Sequence, residues 1–273
     1  VTAAICGHRV EIYEKDSDIG GQLWIAGAPP HKQEILEFIR YYRAQIDKHQ
    51  IPLHLNTAVD SEVIKKQNPD YIILAEGAQP VLPQIDGSDD ACVYSAWQVL
   101  KGNPVLGKSV AVIGGGSVGL ETAVFIAAKG TLTPETLHFL FAYEAVSPER
   151  LRELMYQGSS KVTVFEMLPR IGQDIGKSTR WILFDNLKRY KISVKTGARV
   201  TSIRDGIVRF QKDGRKEQVQ FDNVVLASGS QSVPGISAEV KKMGYSFATV
   251  GDGVRAGKLN EAIHGGFLAA INI

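Results

Sequence analysis

The sequence predicts an α/β protein of two doubly wound parallel sheets, the second unit inserted into the first. Three observations carry that prediction. Strand-like and helix-like segments alternate along the whole chain, the pattern of parallel sheets covered by helices on both faces. Two continuous apolar runs, YIILAEGA (71–78) and VVLASGSQ (224–231), each end on an Ala-x-Gly turn and read as corresponding strands of a duplicated unit. Between them, the glycine-rich turn from Gly114 to Gly119 joins an apolar strand to a helix.

In chain order, residues 1–6 read as the end of a helix stopped by Gly7. A short strand follows at 9–14, then a Gly/Pro-rich loop at 16–30. Ile35, Phe38, Ile39, Tyr42 and Ile46 recur at spacings of three and four, which makes 31–49 an amphipathic helix. A strand at 53–56, a short helix at 61–66 and the unbroken apolar strand 71–75 complete the first segment. Such unbroken strands belong to sheets buried on both faces. The pattern restarts with a strand at 109–113, the glycine turn, and a helix from 118 to about 129. A strand at 162–166, a helix at 177–190 and a strand at 192–195 follow. Residues 199–220 read as a β-meander turning at Asp205-Gly206 and Asp213-Gly214. Strands at 224–227 and 246–250 and a helix at 258–272 end the chain.

Bulk composition excludes several function classes. Thirty-one Lys and Arg against 29 Asp and Glu leave a net charge of +2, which is no electrostatic footprint for nucleic acid. Cys6 and Cys92 are the only cysteines and form no CxxC pair. They are too few for an iron–sulfur cluster and a poor disulfide framework, which fits a reducing cytoplasm. The histidines show no metal-binding or triad-like spacing, so no metal site is expected. No apolar run has the length of a membrane span. The N-terminal run VTAAICGHRVEIYEK is too quickly charged for a signal peptide and lacks an initiator methionine.

The chemistry lies in SVAVIGGGSVGLETA (109–123). A G-x-G-x-x-G turn after a strand and before a helix is the dinucleotide-binding fingerprint of a Rossmann unit. Gly114 permits the tight turn, Gly116 lets backbone N–H groups reach a pyrophosphate, and Gly119 lets the helix pack on the strand. Ser117 and Val118 open the helix whose N–H donors and partial positive charge suit phosphates. Such a unit places an acidic residue about 20 positions on, at the end of its second strand, for the ribose hydroxyls. Glu166 in KVTVFEM is the candidate, although it lies 47 residues past Gly119. An inserted helical excursion at 131–160 reduces that to 17, and Pro134 and Pro148 are placed to start its two helices. A carboxylate there favours NADH over NADPH, because it repels a 2′-phosphate.

The first unit repeats this logic without its beginning. Glu14 ends the strand RVEIYE in the ribose-binding position, and Gly21 and Gln22 follow in a glycine turn. Ala75 and Gly77 form the turn after the apolar strand, and Gly251-Asp252 precedes the last helix. The order of these pieces is that of an FAD site, with Asp252 placed for the ribityl or phosphate region. No glycine fingerprint precedes Glu14. The expected organisation is therefore an FAD-type unit, 1–96 plus 233–273, lacking its initial strand and glycine fingerprint. An NAD(H)-binding unit, 97–232, interrupts it. FAD binding is expected to be impaired.

These motifs resemble the dinucleotide-binding half of the enoate reductase group, which includes 2,4-dienoyl-CoA reductase and trimethylamine dehydrogenase. The likeness runs through YEKDSDIGGQL, YYRAQI, AEGAQP, VIGGGSVGLETA, the helical excursion, DIGKSTRWIL and GDGVRAGKLNEAIHGG. Glu76 departs from it, standing where a threonine is typical. The resemblance implies a reductase module in which NAD(P)H gives hydride to FAD. It also implies a partner TIM-barrel domain with FMN and an iron–sulfur cluster, in the same chain or another. No catalytic side chain is assigned, since hydride transfer is the cofactors' own chemistry. A rival reading is a nucleotide-binding module without catalysis.

Overall fold

The computed structural model describes all residues, Val1–Ile273. In order, the elements begin α1 (Thr2–Ile5), β1 (Ile12–Tyr13), α2 (Leu23–Ala26), α3 (Glu34–Lys48), β2 (Leu53–His54), α4 (Ser61–Gln67), β3 (Tyr71–Leu74) and β4 (Ala78–Pro80). Then come β5 (Val93–Ser95), α5 (Ala96–Leu100), β6 (Ser109–Ile113), α6 (Ser117–Ala128), α7 (Pro134–Ala142), α8 (Pro148–Leu154), β7 (Lys161–Phe165), α9 (Lys177–Arg189) and β8 (Ser193–Lys195). The meander β9 (Arg199–Arg204), β10 (Ile207–Lys212) and β11 (Arg215–Gln220) leads to β12 (Asn223–Leu226), β13 (Ser230–Ser232), α10 (Ser237–Lys242), β14 (Ser246–Thr249) and α11 (Leu259–Ile271).

Two compact units result. One is Val1–Gly27, Lys32–Gln79 and Ser230–Ile273; the other is Ala28–His31 and Pro80–Gly229. The change of unit falls at 79/80, ahead of the 96/97 expected from sequence, because β5 pairs with β12 of the second unit. No helix is long and apolar enough to cross a membrane.

The second unit holds a five-stranded parallel sheet in the order β5-β12-β6-β7-β8. Successive residues of a strand point to opposite faces, so β6 serves two cores. Val110 and Val112 pack with Leu120, Ala123, Val124 and Ala127 of α6. Ala111 and Ile113 pack with Val200, Ile203, Val208 and Phe210 of the meander. Phe165 of β7 joins that second core edge-on to Phe210 and Phe221, with centroids 5.0 and 5.8 Å away. Seven of the twelve residues of α6 are buried, which marks a helix enclosed on most sides rather than an amphipathic surface helix.

The excursion is two short helices. Thr133 and Ser147 cap them by accepting the backbone N–H groups of Thr136 and Arg150, and Pro134 and Pro148 open them. Its two ends meet, since Ser159 donates its backbone N–H to the Lys129 carbonyl at 2.8 Å. The chain therefore re-enters β7 beside the point where it left α6.

In the first unit β1 with β2, and β3 with β14, form separate parallel pairs. Ile12 and Tyr13 of β1 face Leu53 and His54 of β2, and β3 pairs with β14 from Tyr71–Ser246 to Leu74–Thr249. In the second unit β6 lies between β12 and β7, whereas here β3 and β1 each have a single strand neighbour. Strand β1 accordingly covers two residues of the 9–14 expected from sequence. A small core of Ile64, Leu74 and Val240 joins α4, β3 and α10.

Candidate functional site

At the carboxyl end of β6 the chain turns sharply. Gly114 has φ +115°, a conformation that strongly favours glycine. A Cβ there would stand 2.3 Å from the Ala227 carbonyl oxygen at the end of β12. A Cβ on Gly119 would stand 2.0 Å from the Gly114 carbonyl oxygen and 3.3 Å from Ala227 Cβ. The first turn of α6 is thus seated directly on the glycine loop. Gly115 is closed in by Ile171 Cγ2 and Glu166 Cβ, 2.7 and 2.9 Å from where its own Cβ would be. The N-cap of α6 is Gly116, so no side chain of the cap residue satisfies the first helical donors. Val118, at the first turn, is 40% exposed.

Two carboxylates supply acceptors instead. Glu166 follows the last residue of β7, and its Oε2 accepts the Gly115 N–H at 2.7 Å. Its Oε1 accepts the Leu168 N–H, also at 2.7 Å. An ionised carboxylate has about four lone-pair sites, so both bonds leave acceptor capacity. Asp174, which sequence reasoning missed, lies in the segment before α9. It accepts the Ser117 N–H at 3.1 Å on Oδ1 and 2.9 Å on Oδ2, and the Ser117 hydroxyl at 2.6 Å on Oδ2. No local spacing rule links residues 57 positions apart, and DIGKSTRWIL carried no signal for this contact.

In the first unit three expected residues come together. Gln22 donates from Nε2 to Asp252 Oδ2 at 3.1 Å, and a Cβ on Gly77 would be 3.5 Å from that same nitrogen. The Gly257 N–H donates to Asp252 Oδ1 at 3.0 Å. Gly21 has φ +45° in the turn that precedes Gln22, and Gly251 has φ +57° at the start of a 3-10 turn over Gly251–Gly253. Ala75 follows β3 directly and is exposed. Glu14 is occupied locally: its Oε1 accepts the Asp16 N–H at 2.9 Å. Glu76, the atypical residue, binds the Ile236 N–H through Oε1 at 3.0 Å. Glu76 lies directly over Gly235, where a Cβ would fall 1.6 Å from Glu76 Oε2.

Cys6 is exposed and Cys92 half-buried, and neither is disulfide-bonded. Burial, reinforced by the neighbouring Asp90 carboxylate, raises the Cys92 thiol above its ordinary range, which disfavours the reactive thiolate.

Comparison with known proteins gives the site a setting. Residues 31–229 match the family described as pyridine nucleotide-disulphide oxidoreductase. The metal reductase of Desulforamulus reducens is 33% identical over 273 residues, covering 98% of this chain and 41% of that protein. The NADH oxidase of Thermoanaerobacter brockii is 33% identical, covering 100% of this chain and 38% of that one. Among solved structures, a 2-naphthoyl-CoA reductase superposes with a TM-score of 0.84 at 29% identity, over 99% of this chain and 37% of its own. The chain spans about two fifths of the length of these relatives.

Proposed function

This chain belongs to the pyridine nucleotide-disulphide oxidoreductase family, and on that premise we propose that it is the reductase module of a flavin oxidoreductase, taking electrons from NADH to FAD. It is an NAD(P)H-dependent flavin oxidoreductase chain. When bound, the two cofactors supply the redox chemistry, a hydride donor and its acceptor, and the protein supplies binding and orientation.

The observation that carries the reading is the Gly114–Gly119 turn, closed so tightly on β12 and on itself that a Cβ at Gly114 or Gly119 would meet backbone at 2.3 or 2.0 Å. Such a turn brings a pyrophosphate to the N-terminus of α6, where helix N–H donors and the helix dipole favour negative charge. Ser117 and Val118 open that helix and Gly116 caps it. Glu166 would hold the ribose hydroxyls with its remaining lone pairs and repel a 2′-phosphate, which makes NADH the preferred nucleotide. In the first unit, Gln22, Gly77 and Asp252 fit one end of an FAD site, with Glu14, Gly21, Ala75 and Gly251 in supporting positions. The onward acceptor is assigned to a further domain, in the same chain or another, carrying the FMN and iron–sulfur cluster that the sequence resemblance implies. A cytoplasmic setting belongs to the same proposal.

One observation favours the second reading, a nucleotide-binding module without catalysis. The first unit holds two-stranded pairs, among them β1-β2 and β3-β14, where the second holds a five-stranded sheet. Anaerobic NADH titration after reconstitution with excess FAD separates the two readings. Bleaching of protein-bound flavin supports the reductase. Saturable NADH binding with no bleaching supports the non-catalytic module.

A further inference from the structure

We propose that Asp174 is a built-in anion that closes the nucleotide site at α6 and must be displaced before a nucleotide pyrophosphate can enter. The inference rests on the assignment of that site to a pyridine nucleotide. Both oxygens of Asp174 lie within hydrogen-bonding distance of the Ser117 N–H, the first donor of a twelve-residue helix, and Oδ2 also holds the Ser117 hydroxyl. The atom nearest to a Cβ placed on Gly116 is Asp174 Oδ2, at 3.4 Å. The carboxylate therefore stands against the glycine whose missing side chain makes room for phosphate. A carboxylate and a phosphate cannot share these donors, and their like charges oppose joint occupancy.

The surrounding segment is built to hold this position and to release it. On one side the Gly172 N–H donates to the Gly115 carbonyl at 2.8 Å. On the other, Arg180 of α9 donates from Nη2 to the Ile175 carbonyl at 2.8 Å and to the Gln173 carbonyl at 3.4 Å. Arg180 Nε is buried without a hydrogen-bond partner. Leaving a buried donor unpaired is costly, so the closed arrangement is less than fully satisfied. Asp174 itself is exposed and lies between two glycines, Gly172 with φ +62° and Gly176 with nothing nearer than 3.9 Å to its Cβ position.

A plain helix cap and a displaceable gate predict opposite outcomes for removal of the charge. The experiment uses the whole 273-residue chain and its Asp174→Asn and Asp174→Ala variants. NADH binding is followed by fluorescence, ADP-ribose by calorimetry, and adenosine by competition as a phosphate-free control. The gate predicts about tenfold tighter NADH and ADP-ribose in both variants, the scale of one lost charge-assisted hydrogen bond, with adenosine unchanged. Asp174→Asn keeps an acceptor for Ser117 and so guards against loss of folding, while Asp174→Ala should also lower the melting temperature of the unliganded protein. Saturable NADH binding in the unmutated chain, with equal or weaker binding in both variants, would show that Asp174 is only a cap. Failure of all three proteins to bind NADH and ADP-ribose would overturn the nucleotide assignment, and the gate with it.

Discussion

Replacing Gly119 with alanine tests the seating of α6 on the glycine loop. The new Cβ would lie 2.0 Å from the Gly114 carbonyl oxygen, and ordinary contact begins near 3.4 Å. That obstacle is backbone held beneath the end of β12 and has no rotamer to escape into. The helix must therefore lift by roughly 1.4 Å, a shift inferred from the same distances. Overpacking of this kind costs about 1–3 kcal/mol. For a unit of this size, that lowers the melting temperature by about 2–10 °C. The lifted N-terminus also weakens its hold on phosphate, and the loss of a helix-terminus anion contact of up to ~2 kcal/mol corresponds to NADH weaker by up to about 30-fold. Differential scanning calorimetry and fluorescence titration read both effects. Gly266→Ala is the matched control: Gly266 lies inside α11 with nothing within 4 Å of its Cβ position, so alanine there should be neutral or stabilising by about 0.5–1 kcal/mol. If Gly119→Ala melts and binds NADH like the unmutated chain, the close approach has no energetic role and the reasoning fails.

Glu166→Ala should erase most of the preference for NADH over NADPH, which is expected to be at least about tenfold from one charge-assisted hydrogen bond. Equal affinities of the unmutated chain for the two nucleotides would remove the basis for that assignment. A pH test bears on the second unit's frame. Hydrogen bonds from the Ser109 N–H and then the Ser109 hydroxyl hold the Asp222 carboxyl below its ordinary range. A depressed folded value means that this stabilisation is complete above the unfolded carboxyl range, about pH 4, and is lost as pH falls through the folded value. The melting-temperature gap between the unmutated chain and Asp222→Asn should therefore be widest near pH 7 and close below about pH 4. A gap that stays constant from pH 7 to pH 3 would count against the linkage.

Much of the second unit was legible because its signals are local. Ser109–Ile113 is a continuous apolar run, and its strand has the bounds expected from sequence. The meander turns at Asp205-Gly206 and Asp213-Gly214, all four residues having positive φ, as tight hairpin turns require. Pro134 and Pro148 begin their helices because a missing N–H is harmless at the first helical position. Elements of one turn or one short ladder escaped notice: α2 has four residues inside a Gly/Pro-rich stretch, and β5 has three. The start of α5 carries a local signal, since Ser95 and Gln98 form a capping box. In the site, Glu166 was placed by its strand end, whereas its bond to Gly115 and the whole role of Asp174 depend on contacts across 51 and 57 positions. Chain folding creates such pairs, and no periodicity in the sequence encodes them.

A pyridine nucleotide docked on the glycine turn that opens α6 should perturb the backbone amides of that turn first. Backbone amide NMR of the isotope-labelled chain during NADH titration tests it directly. The expected result is saturable shifts concentrated on Gly115, Gly116, Ser117, Val118 and Gly119, with Glu166 and Asp174 moving at the same ligand concentration. Saturable shifts confined to other parts of the chain, with the amides of Gly115 to Gly119 unmoved, would contradict it.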